Sequence, residues 1–222
     1  MPQLIAMVIV VVGAMIYMFQ TFGGTGDKIE GIAQKTSVIT EINNIKNGLK
    51  LAARSEHIGD GTNDPADATS TLKGLSELAY FPEQINNQVI NDAITGDDDN
   101  TYNAISFGGS ETERGGMIIK LVPSKAISGA AMIPGIYVEF PSTGALGQNA
   151  AFLEAQVSSD LANVAFIDRT ATSAVAGTAV RGTGSDLLKR TPADTTTSTT
   201  ALASDGKFII YFKDFGSNEV VK

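Results

Sequence analysis

Cysteine and tryptophan are absent from the 222 residues, and histidine occurs once. Without cysteine there is no disulfide, no thiol nucleophile and no thiolate metal site, and the chain is indifferent to the redox state of its compartment. The one histidine, His57, opens a turn-rich stretch, His57-Ile-Gly-Asp-Gly-Thr-Asn-Asp-Pro-Ala-Asp-Ala68. A serine nucleophile needs a base beside it, and no Ser occupies a Gly-x-Ser-x-Gly elbow. Gly182-Thr-Gly-Ser185 lacks the lysine and strand context of a phosphate loop. These gaps point away from an enzyme, and no cofactor is expected.

Positive charge is also in short supply. Lys and Arg total 16 against 24 Asp and Glu, a net charge of −8, which disfavours nucleic acid and anionic membrane surfaces as partners. Two acidic runs, Asp60 to Asp64 and Asp97-Asp98-Asp99-Asn100, offer oxygen ligands for a hard cation. Neither has the spacing of an EF-hand loop, so both are expected as exposed turns and no metal site is assigned.

Charge is missing altogether from Met1 to Gly26; the first charged residues are Asp27 and Lys28. Within this stretch Leu4 to Phe22 is almost wholly apolar. About 20 helical residues at about 1.5 Å each span about 30 Å, the thickness of a bilayer's hydrocarbon core. A secretory signal peptide would carry a basic n-region and a small-residue cleavage site. The uncharged start suggests instead that a short basic leader has been removed, making Met1 a processed N-terminus.

Gly23, Gly24 and Gly26 then predict a helix break, because each Gly costs a helix about 1 kcal/mol relative to Ala. A new helix starts at Asp27, with Glu30 placed as in a capping box. Ile29, Ile32, Thr36, Ile39, Ile42, Ile45, Leu49 and Ala52 recur at steps of three or four, one apolar stripe running to about Ser55. Lys46, Lys50 and Arg54 lie near its end, as the helix dipole favours. They read as a solvated face, with contact to an acidic neighbouring subunit as the alternative.

Further along, short helices are expected at Thr71 to Ala79 and Glu83 to Ile94. A hairpin is expected from Tyr102 to Phe107 and Met117 to Val122, and a helix at Ser124 to Met132. Gly135 to Phe140 reads as a strand, and Asn149 to Leu161 as a helix burying Ala151, Phe152, Ala155 and Leu161. Val164 to Ile167 is a short strand, and Thr170 to Ala203 is mostly loop. Lys207 to Phe215 alternates, yet is apolar on both faces, as in the middle of a sheet. The layout is α+β: a long N-terminal helix with an apolar half, a Gly-rich break and an amphipathic half, packed on a head with an antiparallel sheet. Residues 1–26 form the membrane or filament-core segment, and residues 27–222 the head.

This layout resembles that of type IV pilins, the type IVb branch in particular. Met1 and the apolar run look like the family's mature N-terminus. Glu41-Ile-Asn-Asn-Ile-Lys-Asn-Gly-Leu-Lys-Leu-Ala-Ala-Arg54 is similar to the globular half of its long helix. Leu75-Ser-Glu-Leu-Ala-Tyr-Phe-Pro82 resembles the segment that follows. Ser106-Phe-Gly-Gly109 and Met117-Ile-Ile-Lys-Leu-Val-Pro-Ser-Lys-Ala-Ile127 look like the first hairpin and the helix after it. Beyond Ile127 the likeness fades. Two departures stand out: position 5 is Ile5 where the family usually has Glu, and the usual C-terminal disulfide has no cysteines to form it.

The resemblance implies a structural subunit of an extracellular pilus-like filament, polymerising with copies of itself. Leu4, Ile5, Val8, Val11, Val12, Ile16 and Phe19 would pack the filament core. It also implies an inner-membrane pool of subunits and a pilus assembly machinery. A pseudopilin or minor pilin of a secretion system, or a membrane-anchored adhesion module that never polymerises, would share the layout, and these alternatives stay open.

Overall fold

The computed structural model describes residues 31–58, 71–122, 134–171, 173–174, 179–180, 189–190 and 204–215. The apolar run, the glycines of the expected break, the Asp60 to Asp64 loop and the helix expected at Ser124 to Met132 lie outside them. Among the described residues no helix is long and apolar enough to cross a membrane.

The architecture is α+β. Helix α1 covers residues 31–54. Helix α2, Leu72–Glu77, is capped by Thr71, whose hydroxyl accepts from the Gly74 amide, meeting one of the unpaired amides at a helix start. Helix α3 is Glu83–Ile90. It stops four residues short of expectation at Ile94 because the Asp92 carboxylate takes the Ile94 amide at 2.9 Å, a local bond that competes with helix continuation. Helix α4 is Ala150–Leu161.

Five strands form one antiparallel sheet in the order β1-β2-β3-β7-β4. They are β1 Thr101–Asn103, β2 Ile118–Val122, β3 Gly135–Glu139, β4 Ala165–Asp168 and β7 Lys207–Phe212. Strands β5 Ala179–Val180 and β6 Lys189–Arg190 pair separately. The expected first hairpin is present as β1 against β2. Its first strand is shorter than the stretch to Phe107, since the chain turns into a 3-10 helix at Ile105–Phe107. Asn103 holds that connection: its amide donates to the carbonyls of Ser110 and Glu113, and its oxygen accepts from the Gly115 amide at 2.7 Å.

Strand β7 lies between β3 and β4 and is buried on both faces, as its sequence predicts. Phe208, Ile210 and Phe212 join α1 residues Val38, Ile42, Ile45 and Leu49 in the main core. Ile209 and Tyr211 pack with Val122 and Tyr137 on the opposite face. Tyr211 stands across from Gly135, where an added Cβ would lie 2.8 Å from its ring; the missing side chain makes room for the aromatic.

Two helix faces differ from expectation. On α1 the buried apolar stripe begins at Val38, while Ile32 and Thr36 are exposed and Ile39 is half-buried. On α4 the buried side chains are Ala150, Leu153, Glu154, Val157 and Leu161, while Ala151 and Phe152 are exposed and Ala155 is half-buried. The buried face includes a carboxylate. Glu154 accepts from Arg169 Nε at 2.6 Å and from the Gly206 amide at 2.9 Å. With both oxygens paired, the cost of burying the charge is largely offset.

Candidate functional site

The surface that sets this molecule apart from an ordinary globular domain is the outer face of α1. From residue 32 to residue 53 the exposed side chains are Ile32, Ala33, Thr36, Ser37, Thr40, Asn47 and Leu51, and none is charged. The solvent face of a surface helix ordinarily carries charged residues. Leu51 is 52 % exposed, so the face is also partly apolar.

The charged side chains of this stretch, Lys35, Glu41, Lys46 and Lys50, stand at the flanks and are all engaged within the chain. Lys35 pairs with Asp160 at 2.8 Å. Glu41 accepts from the Tyr102 hydroxyl, which also lies 3.1 Å from Gln88 Oε1. Burial, then the charge of Glu41, pushes the Tyr102 phenol far above its ordinary value, so it stays a neutral donor. Lys46 and Lys50 converge on Asp214, at 2.5 and 3.4 Å. Their ammonium groups lie 5.2 Å and 5.5 Å from the ring centroids of Phe212 and Phe215, and the two rings stack. Burial raises the Asp214 carboxyl, but the hydrogen bonds and charges of Lys46 and then Lys50 outweigh it, and the net displacement is downward. The basic residues read as a solvated face or a contact to another subunit are thus, for Lys46 and Lys50, the clasp that fastens the end of β7 to α1.

The hydroxyls of the outer face are turned inward. Thr36 Oγ1 donates to Ile32 O at 3.1 Å, Ser37 Oγ to Ala33 O at 3.2 Å and Thr40 Oγ1 to Thr36 O at 2.9 Å. A hydroxyl whose proton already goes to its own helix presents little hydrogen-bonding demand to a neighbour. The face can therefore be covered by another protein surface with little desolvation cost.

The acidic turn carries no free cluster. Asp97 pairs with Arg114, Asp98 with Lys120 at 3.2 Å and Asp99 with Lys73 at 3.1 Å. Burial raises the Asp98 carboxyl, and the Thr101 and Lys120 hydrogen bonds bring it below the ordinary range. Among the described residues no group of three or more His, Cys, Asp or Glu side chains is placed to hold a metal ion. His57 shares a hydrogen bond with the Tyr80 hydroxyl.

The residues expected to act in assembly lie outside the described residues. They are Met1, the packing positions Leu4, Ile5, Val8, Val11, Val12, Ile16 and Phe19, and the glycines Gly23, Gly24 and Gly26. Residues that sequence reasoning missed are Asp214 and Glu154. Lys50 and Asp214 are 164 positions apart, and no local pattern announces that pairing. No family model matches the chain, and comparison with curated proteins and with solved structures finds no match either.

Proposed function

We propose that the chain is the structural subunit of an extracellular helical filament of the type IV pilin kind, non-catalytic, held in the inner membrane before assembly and polymerising with copies of itself. The observation that carries this reading is the absence of charge from two neighbouring segments, separated by a short link that carries Asp27, Lys28 and Glu30. Met1 to Gly26 has no charge, and the outer face of α1 stays free of charge as far as Leu51, in a chain that carries 40 charged residues in all (16 basic and 24 acidic). Fully burying one large apolar side chain is worth roughly 1.5–3 kcal/mol, so such a segment needs lipid or other copies of itself. A contact between a segment of one copy and a different face of the next is heterologous and propagates as a helix. The head supports the role by holding α1 with buried residues on one side and paired charges at the edges, which leaves the other side for a neighbour.

Electron microscopy of filaments sheared from the producing cell, with mass spectrometry of the intact subunit and its N-terminus, tests this. The expected result is filaments composed mainly of this chain. Recovery of the chain solely as detergent-soluble monomer, with no filaments, would overturn polymerisation and favour a membrane-anchored binding module. A trace of the chain in filaments built from another subunit would make it a minor pilin or pseudopilin.

A further inference from the structure

Two exposed apolar side chains lie close to the start of α1. Ile32 is 57 % exposed and Phe152 is 43 % exposed. Phe152 sits in the first turn of α4 against Gly31, where an added Cβ would lie 3.0 Å from its ring. Helix α4 is fastened to this end of α1 on both sides: Asn149 Nδ2 donates to Gln34 Oε1 at 2.9 Å, and Lys35 pairs with Asp160 at 2.8 Å. The aromatic is therefore held at the start of α1 by contacts that leave much of its ring uncovered.

Only Asp27 to Glu30 separate this turn from the charge-free segment. Five Cα steps join Gly26 to Gly31. They span about 18 Å when fully extended and about 7.5 Å when helical. A bilayer entered by residues 1–26 thus has its boundary within reach of Ile32 and Phe152. The link itself carries Asp27, Lys28 and Glu30, charges that suit the headgroup layer. The rim of the patch is a closed ion pair and a closed amide pair, so bringing it to an interface strands no lone charge.

We propose that Ile32 and Phe152 form a lipid-contact patch that rests in the interfacial layer of a zwitterionic bilayer and fixes the tilt of the head while the subunit waits in the membrane. The proposal rests on residues 1–26 acting as a membrane anchor. The net charge of −8 argues for zwitterionic rather than anionic lipid. Apolar side chains at the headgroup boundary are favoured by the area they remove from water.

The chain has no tryptophan, so Phe152→Trp and Ile32→Trp each install a single fluorescent probe. The full chain is reconstituted into phosphatidylcholine vesicles with and without brominated acyl chains. Leu78→Trp, at a position 49 % exposed outside the patch, serves as the reference. The expected result is a blue shift and a loss of emission on bromolipid for the probes at 152 and 32, and neither for the probe at 78. Ile32, more than half exposed, carries the test if the substitution at Phe152 perturbs folding. If the chain floats with the vesicles but both patch probes are quenched no more than the reference, the patch proposal is wrong while the anchor stands. If the chain does not float with vesicles at all, the anchor reading fails and the patch with it. A blue shift found in lipid-free filaments but absent in vesicles assigns the patch to a second copy and overturns the lipid contact.

Discussion

His57 and Tyr80 occupy the same position beyond two different helix ends, and their side chains meet. After α1 the amides of Glu56 and His57 donate to Ala53 O and Ala52 O, at 3.1 and 3.0 Å; after α2 the amides of Ala79 and Tyr80 donate to Ser76 O and Leu75 O, at 2.9 and 3.2 Å. This is the Schellman pattern twice over. The side chains that follow share a hydrogen bond and stack edge to face at 5.8 Å, so the two helix ends are tied together. The motif wants Gly at its left-handed position, but here it holds Glu56 (φ 60°) and Ala79 (φ 59°). A side chain there costs roughly 1–2 kcal/mol. Ala79→Gly is therefore expected to stabilise the fold by about 1 kcal/mol, read as a higher midpoint in equilibrium denaturation of the full chain. A lower midpoint would show that the left-handed turn is not what strains this end.

Gly48 should behave in the opposite sense from a glycine in an ordinary helix. Replacing an exposed mid-helix Gly by Ala normally gains about 1 kcal/mol. At Gly48 an added Cβ would lie 2.2 Å from Phe81 Cδ1 and 2.8 Å from the Tyr80 carbonyl oxygen, and Phe81 is itself held by Asn86, whose amide brackets its backbone. Gly48→Ala is expected to destabilise by about 1–3 kcal/mol, the usual cost of overpacking. In a Phe81→Leu background the penalty should shrink, as double-mutant denaturation would show. Equal penalties in both backgrounds would place the clash on the Tyr80 carbonyl rather than the ring.

What the sequence revealed and what it hid divide along physical lines. The period-2 alternation of Lys207 to Phe215, apolar on both faces, marked a central strand; β7 ends at Phe212, three residues short of that, and has a partner on each side. The short helix expected from Thr71 to Ala79 is present as α2, Leu72–Glu77, because its start and stop signals are local. The inward face of α1 was legible at Ile42, Ile45, Leu49 and Ala52, which are buried, but not at Ile32, Thr36 and Ile39, and that of α4 only at Leu161, because the limits of a buried face depend on where neighbouring elements lie. A carboxylate in a helix reads as solvent-facing; Glu154 is inside because Arg169 and Gly206, 15 and 52 positions away, supply its donors. The uncharged outer face of α1 from Ile32 to Leu51 becomes visible only once the buried face and the pairing of Lys35, Glu41, Lys46 and Lys50 are known.

Two aspartates should move the pH profile of stability in opposite directions. Asp214 titrates below the ordinary range because Lys46 and Lys50 outweigh its burial. Its contribution is present above the unfolded carboxyl value and is lost as pH falls through the lower folded one. Asp214→Asn should therefore lower stability at neutral pH and flatten the acid limb. Asp92 titrates above the ordinary range, through burial and then the nearby charge of Asp97, and its Oδ2 has no hydrogen-bond partner. Its folded form holds the proton more tightly, so its contribution is present at low pH and is lost as pH rises through the folded value. Asp92→Asn keeps the oxygen that accepts from Ile94 and removes the repulsion, so it should raise stability at neutral pH. Denaturation midpoints of both variants between acid and neutral pH check the two signs; parallel profiles would contradict both assignments.

The outer face of α1 makes the sharpest demand on the filament reading. Thr40 and Asn47 are exposed there, and substitutions at exposed sites usually change stability by no more than about 0.5 kcal/mol. Thr40→Lys and Asn47→Lys should leave the head folded, with circular dichroism and melting close to the parent. If the face is covered by a second copy in the filament, the new ammonium group is buried at every repeat without a counter-ion, which costs several kcal/mol per subunit. Both variants are then expected to accumulate in the membrane and to yield few filaments. Glu77→Lys, at an exposed site on α2, controls for added positive charge away from this face and should assemble normally. The interface also predicts a direction for reversal: Thr40→Ala removes a hydroxyl already bonded to Thr36 O at 2.9 Å, leaves the face uncharged, and should assemble. Normal filaments from both lysine variants would place the contact elsewhere on the head and leave this face as solvated helix.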